Sequence, residues 1–355
     1  MRRYILVSFA RLFTLALLGF GSVYLIVEFF ERIDDFLEHS AAPISALNYF
    51  LFKIPLILYQ VTPAAVLLAS VLCFVILSRN NELTVLKASG FSILSLSNPI
   101  IWVALFLSLV SLGLQEYVVP YTNRKVVQIY NVQIKKEVPK SLFRNRLWYR
   151  SGDGSLWKVS AIGPEGRTLL GVSIFRLADD RLTERIDARE IEWNGRNWVL
   201  HDGVIRDFRS PGQVILSQFK SRPLSVAETP LDFQVLRRDP KQMSYQELST
   251  YVQTLKRSGL DPTSYIVDKE VKLSFPFAIM VMAVLGIPCS LRSPRAGSVT
   301  GGIALTLLIA AGFWVLLSMG ISLGHGGRLP PILAAWGANG VSLSLGLWLL
   351  MTVRQ

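Results

Sequence analysis

The 355-residue chain carries 37 Lys+Arg against 25 Asp+Glu, a formal net charge of +12, yet 51% of its residues are hydrophobic and only 17% are charged. With a mean hydropathy of +0.40 it is too apolar for an ordinary soluble enzyme or for a disordered or collagen-like chain. Two cysteines, Cys73 and Cys289, exclude a disulfide framework or a cysteine-rich metal site.

A bilayer crossing needs about 20 mainly apolar residues, and six stretches qualify: Ile5–Val27, Ile54–Ser78, Phe91–Leu114, Leu273–Ser290, Gly301–Leu323 and Ile332–Val353. The first is too long for a signal-peptide core, and EFFERIDDFLE rather than a small-residue cleavage site follows it, so it is expected to stay as a span. Segment 28–53 reads as an acidic loop, with Glu28, Glu31, Asp34, Asp35 and Glu38 against Arg32 and Lys53. The N-terminus (Arg2, Arg3), loop 79–90 (Arg79 and Lys87 against Glu82), loop 291–300 (Arg292, Arg295) and the tail (Arg354) are basic. The positive-inside rule then places both termini and loops 79–90 and 291–300 in the cytoplasm, and 28–53, 115–272 and 324–331 outside.

Two features near the spans could carry function. In loop RNNELTVLKASG, Glu82, Leu83, Val85 and Leu86 put an acid and an apolar patch on a short helix. This is either a solvated turn or a docking helix for a cytosolic partner, and an exposed apolar stripe favours the partner. At the outer end, Arg32, Lys53, Glu116 and Arg124 lie near the membrane surface. The cations there either anchor the helices by snorkelling or meet anionic lipid headgroups.

Residues 120–272 hold 26 basic and 18 acidic side chains, a net +8. Their pattern is β. LWYRSGDGSLWKVSAI and GVSIFRLADDRLTERIDA each read as a strand pair, the second turning around Ala178–Asp180. REIEWNGRNWVLHDGVIRDF reads as a hairpin with Asn194-Gly195 at its tip, the pairing that suits a type I′ turn. Trp148, Trp157, Trp193 and Trp198 are expected in core or cross-strand packing. Such spacing fits a sandwich, jelly roll or open barrel. Two helices should flank this region: Asn123–Lys136, and Ser244–Arg257 with a Ser244/Glu247 capping box and Gly259 after it. In the fifth span, Gly301, Gly302, Gly312, Gly320 and Gly324 indicate close helix packing or a movable seam.

Catalytic signatures do not appear. There is no GxxxxGK[ST], GxSxG or HExxH, and His39, His201 and His325 fall in separate loops. The pairs Asp34/Asp35 and Asp179/Asp180 read as a solvated loop and a turn. No cofactor or metal is expected in this chain.

In order along the chain, VTPAAVLLASVL, RNNELTVLKASGFS, QEYVVP, LWYRSGDGSLWKV, GVSIFRL, MSYQELSTYVQTLKRSGLD, KLSFPFA and LPPILAAW resemble the lipopolysaccharide-export permeases LptF/LptG (YjgP/YjgQ-like), with NELTVLKASG and QEYVVP the most specific. The sequence is more similar to the LptG-like branch. The resemblance implies a polytopic α-helical membrane protein of the bacterial inner membrane, with six transmembrane helices and an inserted extracytoplasmic all-β, jellyroll-like domain. Its parts would be 1–119 (helices one to three), 120–242 (periplasmic β domain with linking helix), 243–272 (connecting helix) and 273–355 (helices four to six).

The implied partners are a cytosolic ABC ATPase dimer, a second LptF-like permease, a single-span jellyroll subunit (LptC-like), a periplasmic bridge protein and lipopolysaccharide, with no nucleic acid. Glu82 would pair with a basic groove on the ATPase. The lipid cavity would lie between two permeases, lined by spans one, two and five, with Arg32, Lys53 and Arg124 as headgroup candidates. Some members carry several lysines after span one, whereas VEFFERIDDFLEH holds only Arg32. The other classes open to this sequence are a membrane-anchored enzyme and an assembly scaffold, each acting on an outer-leaflet anionic lipid.

Overall fold

The computed structural model describes residues 2–135, 147–151, 153–163, 166–178, 181–209, 214–224, 226, 228–230, 239–257, 261–292 and 299–352. Expectations resting on Lys136, Asp179, Asp180, Gly259, Arg295, Arg354 or the side chain of Trp148 lie outside these residues. The chain divides into two compact units, one of Met1–Ile129, Pro240–Ser249 and Thr263–Gln355, the other of Tyr130–Asp239 and Thr250–Pro262.

The first unit is helical. Its elements are α1 (Arg2–Glu38), α2 (Pro43–Arg79), the short α3 (Glu82–Ala88), α4 (Ile93–Gly113), a π turn (Leu114–Val118) and α5 (Val119–Gln128). After the β strands come α6 (Tyr245–Arg257), whose first residues belong to this unit, then α7 (Thr263–Arg292), α8 (Val299–His325) and α9 (Pro331–Thr352). Among the described residues six helices are long and apolar enough to cross a membrane, as the hydropathy predicts.

One expectation is corrected. Segment 28–53 is not a loop: α1 runs to Glu38 and α2 starts at Pro43, leaving only residues 39–42 as a turn. The helix outlasts its apolar stretch because its charges pair along it. Arg32 lies 3.6 Å from Glu28 at i,i+4 and 3.7 Å from Asp35 at i,i+3, spacings that share a helix face.

α7 is the spine of the unit. Of its most apolar stretch 78% is buried, against 17% for α1. Two polar ties fix its neighbours: Ser108 Oγ of α4 donates to the Pro276 carbonyl at 2.9 Å, and Asn339 Nδ2 of α9 donates to the Ser274 carbonyl at 2.6 Å. Both bonds are buried, where an unmade one would cost about 1–3 kcal/mol. Prolines interrupt the hydrogen-bond ladders of α2 (Pro55, Pro63), α4 (Pro99) and α7 (Pro276, Pro288), whereas α1 and α8 contain none. Among the α8 glycines, a Cβ at Gly302 would press on Val71 of α2 at 3.3 Å, one at Gly320 would meet the Ala334 carbonyl of α9 at 2.5 Å, and Gly312 faces open space. Close packing therefore explains Gly302 and Gly320 but not Gly312.

The second unit is a six-stranded antiparallel sheet in sequential order: β1 (Leu147–Arg150), β2 (Leu156–Ile162), β3 (Thr168–Ala178), β4 (Arg181–Trp193), β5 (Trp198–Asp207) and β6 (Ile215–Leu224). Among the described residues the all-β region is this single meander. Alternate positions supply its core, with Trp157, Val159, Ile174, Ile186, Ile191, Trp198 and Leu200 buried together, and Trp193 packs edge-on against Trp198 at 5.3 Å.

The β4–β5 hairpin forms where expected but with its tip one residue further on. Asn194 N donates to the Asn197 carbonyl at 3.1 Å, and Asn194 Oδ1 accepts from Arg196 N and Asn197 N. The central residues are therefore Gly195 and Arg196, with positive φ (+97°) at Gly195 and not at Arg196. That is the glycine-first pattern of a type II′ turn rather than type I′.

On one face of the sheet Asp187 accepts from Ser173 Oγ at 2.7 Å and from Arg185 at 2.9 Å, and pairs with Arg206. Partial burial pushes its carboxyl up, but the Ser173 and Arg185 hydrogen bonds and the two guanidinium charges outweigh that and hold it below the usual carboxylate range. A depressed carboxyl stabilises the fold above its unfolded-state value, and this is lost as pH falls through the folded value. Asp187→Asn should therefore lower the melting of the β region at neutral pH by about 1 kcal/mol or less, given solvent screening. The gap to wild type should close on acidification below the ordinary carboxylate range, as read by tryptophan fluorescence; a gap that persists at low pH contradicts the role. Gly320→Val should destabilise the detergent-solubilised protein by about 1–3 kcal/mol through overpacking, while Gly312→Ala leaves its thermostability within error.

Candidate functional site

The helical unit carries an open groove of about 560 Å³, lined by Phe20, Val23, Tyr24, Val27, Glu28 and Glu31 of α1, Gln60, Val61 and Ala64 of α2, and Trp314 of α8. These are the first, second and fifth membrane helices. The groove is apolar along most of its length and polar at the end where Glu28 and Glu31 sit. Its flanks carry exposed apolar side chains, among them Leu15, Leu18 and Ile26 on α1 and Leu308, Val315 and Met319 on α8, which suits lipid-facing helices rather than surfaces bathed in water.

Glu28 is 6% exposed. It interrupts the apolar run LIVEFF, and a carboxylate there requires partners. Three groups from two helices converge on it: Tyr49 Oη donates to Oε1 at 2.6 Å, Lys53 Nζ at 3.0 Å, and Arg32 lies 3.6 Å away. Tyr49 sits in an aromatic cluster with Phe36 and Phe50, ring centroids 5.3–5.9 Å apart. Two headgroup candidates, Arg32 and Lys53, are thus neighbours, and both are held by one acid.

The third candidate, Arg124, stands elsewhere. Its Nε donates to the Gln242 carbonyl at 2.9 Å and its guanidinium pairs with Glu247. The capping box expected there is present: Glu247 N donates to Ser244 Oγ at 3.1 Å and Ser244 N to Glu247 Oε2 at 3.0 Å. Glu116, from the π turn, accepts from Tyr245 N at 2.8 Å and Gln246 N at 3.3 Å. A carboxylate at a helix N-terminus satisfies donors that the helix cannot. Arg124 and Glu116 therefore clamp the start of α6.

α3 corrects part of the docking patch. Leu83 and Leu86 are each only 6% exposed and join the core of Ile5, Phe9, Ile93 and Leu96. Spaced three apart on a helix they share one face, and that face is turned inward. The outward face carries Thr84, Val85 (63% exposed) and Ala88, with Phe91 just beyond. Glu82 lies at the border, accepting from Tyr4 Oη at 3.3 Å and Asn80 Nδ2 at 3.2 Å. Of the four residues read from sequence, Glu82 and Val85 can meet a partner, while Leu83 and Leu86 anchor the helix.

The histidines do not converge: His39 bonds the Asp35 carbonyl, His201 lies near Glu192 and His325 bonds Asp268. Among the described residues no three His, Cys, Asp or Glu side chains form a metal-binding group. Sequence reasoning missed Tyr4, Phe91 and the buried role of Glu28. Only Glu28 had a local signal, an acid inside an apolar run.

The family profile described as lipopolysaccharide export system permease LptF/LptG matches residues 3–352. The lipopolysaccharide export system permease protein LptG of Escherichia coli strain K12 is 26% identical over 333 residues, covering 92% of this chain and 91% of that protein. LptG of Escherichia coli O6:H1 strain CFT073 aligns with the same figures. A match over nearly the whole length, on a chain with six membrane-length helices and an inserted sheet, establishes that this protein belongs to the LptF/LptG family of lipopolysaccharide export permeases.

Proposed function

We propose that the chain is the LptG-type permease subunit of an ATP-driven complex that extracts lipopolysaccharide from the outer leaflet of the bacterial inner membrane and passes it to a periplasmic bridge. The observation that carries this reading is the groove between α1, α2 and α8, with apolar walls for acyl chains and one polar end. In the complex, a second, LptF-like permease closes the groove, an LptC-like jellyroll subunit and a bridge protein receive the lipid, and a cytosolic ABC ATPase dimer supplies the energy. The chain itself performs no catalysis and holds no cofactor. Both termini and α3 face the cytoplasm and the β region faces the periplasm, in keeping with the basic residues that flank the inner ends of the spans.

ATPase closure reaches the groove through α3. Glu82 presents a charge and Val85 an apolar knob to the ATPase, with Thr84, Ala88 and Phe91 completing the contact. Anionic headgroups meet Arg32 and Lys53 at the polar end, where Glu28 competes with them for the same cations; Arg124, clamped to α6, is the weakest of the three for this role.

Charge reversal at Glu82 and a buried charge at Val85 should both disconnect the ATPase. In detergent pull-downs, Glu82→Lys and Val85→Asp should each reduce ATPase recovery about ten-fold or more, and lipid release from proteoliposomes should fall with it. Leu83→Ala should act differently, lowering thermostability by about 2–5 kcal/mol. Wild-type transport by Glu82→Lys would rule out the coupling role.

A further inference from the structure

We infer that Tyr4 is a positioning residue for coupling: it ties α3 to the first turn of α1 and so lets α1 carry displacement of α3 to the groove. The inference rests on the reading of α3 as the ATPase contact and names the route inward from it. Tyr4 Oη donates to Glu82 Oε1 across 78 residues of sequence. Ile5, the next residue, and Phe9, one turn beyond Ile5, are fully buried in the cluster that also holds Leu83 and Leu86. The first two turns of α1 and the inner face of α3 thus share one core with the inner ends of α2, α4 and α7, and the Tyr4 bond joins α1 to α3 directly.

Between Phe9 and Glu28 the picture changes. The buried positions of α1 in that interval are Ala16 and Gly21, both small. α1 is therefore held chiefly near its two ends: at the inner end by the shared core, which Leu12 and Phe13 also touch, and the Tyr4 bond to α3, and at the outer end by the Glu28 cluster on α2. Six of the ten groove-lining residues belong to α1. The helix has 37 residues and no proline, about 55 Å at 1.5 Å per residue. A push on α3 moves the inner end of a continuous helix whose outer end is pinned beside the groove, and the wall formed by Phe20, Val23 and Val27 shifts with it. Glu82 suits both tasks: Oε1 takes the internal bonds, and Oε2 has no hydrogen bond among the described residues.

The test uses the complete transporter in proteoliposomes, comparing Tyr4→Phe with Asn80→Ala. The latter removes the other bond to Glu82 but leaves α1 attached. Tyr4→Phe should retain the ATPase at wild-type stoichiometry and keep its melting temperature, while lipid released per ATP hydrolysed falls about two- to five-fold, the scale of one polar bond. Asn80→Ala should keep the wild-type ratio. An unchanged ratio in Tyr4→Phe overturns the inference, as does an equal fall in both variants, which would assign the effect to the carboxylate rather than to the link. Loss of the ATPase from Tyr4→Phe also overturns it, because Tyr4 would then belong to the partner contact. Failure of the docking reading shows separately, as ATPase retention by Val85→Asp.

Discussion

A single carboxylate, Glu28, sets much of what the membrane unit can do. Charge removed from water is stabilised only by close, well-directed partners, and stripping the partner from a buried charge costs about 3–5 kcal/mol. Tyr49 and Lys53 supply such partners from α2, and Arg32 from α1 itself. The cluster joins two helices whose apolar contact is otherwise modest on the α1 side. It also places the polar end of the groove and engages the cations that a phosphate-bearing lipid would seek. An anionic headgroup arriving there would meet cations already paired from within, so its binding would be an exchange of partners rather than capture by free charge.

The rest of the helical unit is organised around α7. Its neighbours attach through side chains that reach backbone carbonyls, Ser108 to Pro276 and Asn339 to Ser274. In hydrocarbon such bonds fix register between helices, because apolar surfaces alone slide past one another with little change in energy. The burial of α7 and the exposure of α1 and α8 divide the unit into a fixed interior and two outer walls, and both walls border the groove together with α2.

How far the sequence revealed this depended on whether the deciding interaction was local. Hydropathy located six spans, and the Ser244/Glu247 box fixed the start of α6, because both signals lie within one helix. The ends of α1 and α2 were misread because their charges resemble a loop in composition, while pairing at i,i+3 and i,i+4 extends the helix. Leu83 and Leu86 looked like a partner surface because two leucines three apart define a face but not the side it turns to. Glu116 capping α6, Tyr4 on Glu82 and Lys53 on Glu28 join residues 25 to 130 apart, and no local pattern records such pairs. The Asn194 side chain, accepting from Arg196 N and Asn197 N, accompanies a turn whose tip lies one residue further on.

Proline placement also sets the outer walls apart from most of the frame. Each internal proline deletes one rung of the backbone ladder and leaves a point of lower bending stiffness. α2, α4 and α7 have such points, whereas α1 and α8 have none. Mechanical compliance is thus concentrated in α2, α4 and α7, and of the three helices lining the groove α1 and α8 are comparatively stiff. In a transport cycle the frame would flex while the walls travel as rods, so groove volume would change by tilt, with the side-chain lining of each wall keeping its internal spacing throughout.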